Sequence, residues 1–235
     1  MDTGTLPAHD FLTFWCTSCH HSIQVPTRCP GRTCEICQVS RSMRIRHRIR
    51  FLLQNIELPR DTTWKHWTLT IRSQSDLSDM LDSIIKAFRR LRSTDIWTCN
   101  VSGGIYCIEC THSDAGWHVH LHVLCIARYM PHAAVVQAWT KITGSCVVWV
   151  SRPPSKRLLN YVTKYITKVD IPSTCRWEFN QAFRSRRLWS PFGIAHDVNL
   201  RCPPYVTHCP HCGEHAWICI DFCRTVDCDT LAAPT

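Results

Sequence analysis

The sequence predicts an α+β chain, and three observations carry that prediction. Residues 117–123 alternate apolar and polar side chains as a half-buried strand does, within a strand-like run that reaches residue 126. Residues 105–111 form a second strand-like run just before it, joined by the turn-forming Ser113-Asp114-Ala115-Gly116, so the two should pair as an antiparallel hairpin. Residues 76–92 and 131–142 carry apolar residues at helical spacing.

Taken in order, residues 1–40 hold Cys16-x2-Cys19 and Cys34-x2-Cys37. Two such pairs suit a tetrahedral four-thiolate zinc site, with Cys29, His20 and His21 as rival ligands. Residues 41–56 form a candidate helix with Ile45, Ile49, Leu52 and Ile56 as its apolar stripe. Arg44 and Arg48, with Arg41, Arg46 and Arg50, surround that stripe and are candidates for phosphate contact. Residues 64–71 form a strand, Trp67, Leu69 and Ile71 facing one way and Thr68 and Thr70 the other.

The helix at 76–92 has Asp76, Asp79 and Asp82 at its start and basic residues at its end, which suits the helix dipole. Gly103-Gly104 reads as a turn. In the histidine strand, His118, His120 and His122 share one face and Val119, Leu121 and Val123 the other. If His112 pairs with Trp117, Glu109 lies opposite His120 and Cys107 opposite His122, so Glu109 points at the imidazoles while Tyr106, Ile108 and Cys110 join the apolar side.

The helix at 131–142 is opened by Pro131 and ended by Gly144. A short strand at 146–150 follows, then a helix at 156–168. On that helix Tyr161 and Tyr165 share one face, as do Lys164 and Lys168. Arg186 and Arg187, with Arg184, make a second basic patch. Cys209-x2-Cys212 marks a second zinc knuckle without an obvious partner pair.

Composition narrows the function. The 235 residues suit one medium domain with small appendages. A formal net charge of +9 favours a polyanionic partner, nucleic acid before membrane. The 17 Cys, several in C-x2-C pairs, point to zinc in a reducing compartment rather than a disulfide framework. Neither a cleavable signal nor a run of membrane-spanning length is evident, so a soluble cytoplasmic protein is expected.

Imidazoles facing a carboxylate suit a divalent cation: three histidines could hold a catalytic zinc, and mixed nitrogen and oxygen ligation suits manganese or magnesium on a phosphate. A tyrosine has an ordinary pKa of about 10 and needs nearby ammoniums or a metal to attack as a phenolate.

Three stretches, in this order, resemble the rolling-circle replication initiators of the HUH endonuclease superfamily. They are Trp67-Thr68-Leu69-Thr70, then Gly116-Trp117-His118-Val119-His120-Leu121-His122, then Tyr161-Val162-Thr163-Lys164-Tyr165-Ile166-Thr167-Lys168. The last is similar to the two-tyrosine motif of initiators from isometric single-stranded DNA phages.

The resemblance implies a central antiparallel sheet with flanking helices, an RRM/ferredoxin-like core, to which the cysteine pairs add expected zinc modules at both ends. The expected division is a zinc knuckle and basic helix over 1–58, a nuclease core over 59–198 and a cysteine-rich zinc segment over 199–235. It also implies Tyr165 as first nucleophile and Tyr161 as second, with Lys168 or Lys164 steadying the phosphate. Mg or Mn would be held by His120, His122 and Glu109, with His118 as a further candidate.

The substrate implied is single-stranded or extruded DNA at a replication origin, with a 5'-phosphotyrosine intermediate. With no Gly-x4-Gly-Lys-Ser/Thr loop in the chain, unwinding would need a host helicase, and copying a host polymerase. A mobile element in a prokaryotic host is the implied setting. A transposase of the same chemistry and a non-catalytic zinc nucleic-acid-binding protein are the alternatives.

Overall fold

A computed structural model of the chain describes residues 9–26, 31–153, 158–167, 171–198, 208–214 and 217–226. The chain divides into two compact units, residues 1–41 with 201–235, and residues 42–200. The terminal segments, expected as separate modules, thus belong to one unit.

In that first unit, β1 (His9–Cys16), β2 (Ser22–Pro26) and β8 (Trp217–Val226) form a sheet in the order β2-β1-β8, antiparallel throughout. The unit boundary falls inside α1 (Glu35–Asn55), which starts earlier than the apolar stripe predicts. Arg41 secures its approach, donating to the carbonyls of Arg32 at 2.8 Å and Gly31 at 2.9 Å.

The second unit continues with β3 (Thr63–Thr70), α2 (Leu77–Arg92), α3 (Asp95–Thr98), β4 (Val101–Ser113) and β5 (Gly116–Ala127). After these come α4 (His132–Thr143), β6 (Val148–Ser151), α5 (Leu158–Thr167), α6 (Arg176–Ala182), β7 (Trp189–Gly193) and α7 (Ile194–Asp197). The sheet is antiparallel with the order β6-β3-β5-β4-β7, which puts the histidine strand β5 at its centre. This is the α+β architecture the sequence predicts.

The β4–β5 register agrees with the count from the turn: Glu109 lies opposite His120, Cys107 opposite His122 and His112 opposite Trp117. The loop is tighter than expected. Ser113 also pairs with Gly116, leaving only Asp114-Ala115 between them, and Gly116, just past them, takes φ 94°, a conformation that favours glycine.

Gly103 and Gly104 are not a turn but lie inside β4. A Cβ on Gly103 would come within 2.6 Å of the Ile194 backbone nitrogen, and one on Gly104 within 2.1 Å of the Leu124 carbonyl oxygen. Glycine is required there because neighbouring backbone approaches too closely for any side chain.

The two faces of the sheet have different cover. On one, Trp67, Leu69, Val119, Leu121 and Val123 pack with Leu81, Ile84 and Phe88 of α2 and with Val135 and Trp139 of α4. Asp76 caps α2 by accepting from the Asp79 amide at 2.7 Å. Gly144, at φ 72°, ends α4 as predicted. On the other face, Ile49 of α1 and Leu158 of α5 pack on Ile105, Cys107 and Leu124. The tyrosine helix therefore sits on the face that carries the histidines.

Candidate functional site

Thr68 and Thr70 of β3 lie opposite His122 and His120 of β5, and opposed residues share a face. The Thr70 hydroxyl is 3.1 Å from His120 Nδ1 and the Thr68 hydroxyl 3.2 Å from His122 Nδ1. A hydroxyl that accepts the Nδ1–H selects the tautomer whose Nε2 lone pair faces outward, the form in which imidazole binds a cation.

From β4, a Glu109 carboxylate oxygen comes within 2.8 Å of His122 Nε2. Two lone pairs cannot face each other at that distance, so a proton or a cation must be shared there. Both groups are largely shielded, their side chains 15% and 7% exposed. Burial and the neighbouring His122 ring lower the pKa of His120, which favours the neutral, ligating imidazole.

A further histidine completes the cluster, and the sequence analysis did not single it out. His66 precedes Thr68 by two residues on β3 and so shares its face. Its Nε2 is 3.2 Å from His122 Nδ1, and the two rings are stacked. Its Nδ1 is 3.0 Å from the Tyr161 hydroxyl, which is also 2.9 Å from the Ser151 hydroxyl. Burial, reinforced by His122, brings the His66 pKa down to about 4, so the ring is neutral at ordinary pH. One run of polar contacts therefore leads from Tyr161 through His66 and His122 to Glu109.

Residues 20–133 match the replication-protein family. The match supports a rolling-circle replication initiator. It takes in β3, β4 and β5, the three strands that build the histidine face, and ends before the tyrosine helix. No curated protein and no solved structure matches the chain.

The remaining predicted residues fall in several places. Tyr161 is beside the cluster. Tyr165 lies on α5, but its side chain is outside those described, and Lys168 is outside the described residues. Lys164 is exposed on α5.

His118 stands apart from the ligand set expected for it. Ser73 holds its Nδ1 at 2.7 Å and Ser113 its Nε2 at 2.8 Å, so both ring nitrogens have serine partners near the hairpin end. Arg44, Arg48 and Arg187 are exposed, as phosphate contacts need to be. Arg186 instead turns inward to α2. Its Nε lies 3.0 Å from an Asp82 carboxylate oxygen, and it donates to the Ser78 hydroxyl at 2.9 Å.

The zinc expectation is corrected in its partners. Cys16 and Cys19 meet Cys209 and Cys212, not Cys34 and Cys37, and the four sulfurs all lie within 4.8 Å of one another. Among the described residues this is the one group of three or more metal-ligating side chains so close together. Cys34 and Cys37 are buried at the start of α1 and are not members of that cluster.

The reason lies in the first unit's sheet. It brings the turn after β1 beside the turn that leads to β8. The two knuckles have the same backbone plan. The amide four residues after the first cysteine bonds back to that cysteine's carbonyl at 2.8 Å in each, from His20 to Cys16 and from Gly213 to Cys209. Both of those fourth residues have positive φ, 62° and 79°.

Sulfur pairs Cys16–Cys212 and Cys19–Cys209 are 3.6 Å apart. That is far from the ~2.05 Å of a disulfide. It is near the ~3.8 Å edge of a tetrahedron with ~2.3 Å Zn–S bonds. Burial opposes ionisation of Cys16, but the Cys19 and Ser18 amides outweigh it and bring the thiol down to about 7. For Cys19 the His21 amide favours the thiolate, yet burial and three neighbouring sulfurs push it up to about 12. Four thiolates need a cation between them, and this donor set fits structural zinc.

Proposed function

We propose that this replication protein nicks and rejoins single-stranded or extruded origin DNA through a tyrosine on α5. The phenolic oxygen attacks the scissile phosphorus, the bond from phosphorus to the 3'-oxygen breaks, and the DNA is left as a 5'-phosphotyrosine with a free 3'-hydroxyl. Reversal by a 3'-hydroxyl rejoins the strand without an external energy source.

The observation that carries this reading is the Tyr161 hydroxyl 3.0 Å from His66, whose other nitrogen is 3.2 Å from His122, on the sheet face that also presents His120 and Glu109. Tyr165, one helical turn further along α5, is the first-ranked nucleophile by resemblance, and Tyr161 is the second. Lys164 and Lys168 steady the phosphate. His120, His122 and Glu109 are the residues to hold Mn or Mg, which when bound would polarise the phosphate and stabilise the phenolate.

Arg44, Arg48 and Arg187 contribute sequence-independent phosphate contacts. Unwinding falls to a host helicase and copying to a host polymerase. No helix among the described residues is long and apolar enough to cross a membrane, which fits action on DNA in the cytoplasm of a prokaryotic host.

The test is incubation with single-stranded oligonucleotides and manganese, followed by mass-spectrometric mapping of tyrosine-linked DNA. Wild type should form an adduct, and Tyr165→Phe should abolish it or move it to Tyr161. Wild type that binds DNA but forms no adduct overturns the proposal.

A further inference from the structure

We propose that Trp149 is a base-stacking platform for single-stranded DNA on the histidine face, within about three nucleotides of the scissile phosphate. This deepens the nicking reading above and rests on it. Trp149 is 71% exposed, an unusual state for a tryptophan.

Its orientation follows from the register. On β6, Val148 is buried in the core formed with the α2 and α4 side of the sheet, so Trp149 projects from the opposite face. Trp149 lies directly opposite Thr68, and Thr68 directly opposite His122. Ser151, two residues on, confirms the face, since its hydroxyl reaches Tyr161 at 2.9 Å.

The distance suits one DNA strand touching both places. Two strand spacings of ~4.8 Å put Trp149 about 10 Å across the sheet from His122, and a stacked strand advances ~3.4 Å per nucleotide. Because β6 is an edge strand, a chain leaving the cluster across the sheet passes over Trp149 last. The surroundings suit a polyanion: Arg152 is exposed at the end of β6, Lys164 is exposed on α5, and the chain carries a net charge of +9.

A second copy of the chain is the competing occupant. It is disfavoured because β6 has only four residues, a short template for strand addition. Every base has a π-face, so a tryptophan platform adds affinity without reading sequence.

The probe is a ~16-nucleotide oligothymidylate carrying one 2-aminopurine at successive positions, bound without divalent metal so that nothing is cleaved. Wild type should quench the 2-aminopurine at one or two adjacent positions. Trp149→Leu, which keeps an apolar side chain but no π-face, should bind about tenfold more weakly and relieve the quench at saturation, while Trp149→Phe retains most of both.

Affinity and quench in Trp149→Leu equal to wild type overturn the platform, whereas adduct formation by wild type tests the nicking reading separately. A change in sedimentation of Trp149→Leu with unchanged DNA binding overturns it in favour of a second copy of the chain. Wild type that neither binds the probe nor forms an adduct removes both proposals.

Discussion

Replacing Thr70 by valine should weaken manganese binding at the histidine face while leaving the fold intact. Thr70 is the side chain that orients His120, its hydroxyl 3.1 Å from Nδ1. Valine keeps the β-branched shape and strand preference but removes the hydroxyl that can accept from Nδ1 and so favour the tautomer with a free Nε2 lone pair. The backbone carbonyl of Thr70, which accepts from Trp139 Nε1 at 2.9 Å, is untouched, so the core contact persists.

Loss of such an outer partner typically costs 10–100-fold in metal affinity, or about 1.4–2.7 kcal/mol. Thr68→Val is the internal control. His122 Nδ1 has a second neighbour in His66 Nε2 at 3.2 Å, so that variant should lose less. Titration followed by manganese EPR gives the affinities, and a thermal melt shows that both variants fold. A Thr70→Val protein that binds manganese as wild type does, or a Thr68→Val protein that loses more, refutes the assignment of Thr70.

Three further outcomes follow from the same geometry. If Cys16, Cys19, Cys209 and Cys212 share one ion, Cys16→Ser and Cys209→Ser should each release it, and the double variant no more; additive zinc release in a chelator assay would mean two separate sites. Native alkylation followed by mass spectrometry should label the exposed Cys99 and Cys146 quickly, and Cys125, which burial pushes up to about 12, only after unfolding. If exposed Arg48 contacts phosphate, Arg48→Ala should lower the slope of log affinity for single-stranded DNA against log salt by about 0.7, whereas Arg186→Ala, which breaks the bond to Asp82, should lower the melting temperature and leave that slope unchanged.

What was legible in the sequence is what depends on near neighbours along the chain. The helix over Leu77–Arg92 announces itself through Asp76, its acidic first turn and its apolar stripe. The position of Glu109 opposite His120 was countable because a short turn fixes the register of a hairpin, and one pairing then determines all the others. The strands of the first unit left a weaker trace. The run Trp217-Ile218-Cys219-Ile220-Asp221-Phe222 is rich in β-branched and aromatic residues as strands are, but it lacks a clean apolar–polar alternation.

What was not legible depends on which distant segments meet. Every C-x2-C pair offers the same two sulfurs in the same tight turn, so nothing local tells Cys16 and Cys19 whether to take Cys34 and Cys37 or Cys209 and Cys212. Only the order β2-β1-β8 decides it, by setting two similar knuckles side by side. His66 was hidden for the same reason. Its alternation with Thr68 and Thr70 assigned it a face, but whether that face met the histidines of β5 turned on β3 being the neighbour of β5, a fact about the sheet rather than about either strand.

Once that neighbour is known, the consequence is forced. A side chain two residues before Thr68 on the same face must lie along the same rim of the cluster, between His122 and the helix that packs over that end of the sheet. A histidine there has one nitrogen for each side, and its contacts with His122 and Tyr161 use both. Strand order, more than any single motif, is what makes one site of the tyrosine helix and the histidine strand.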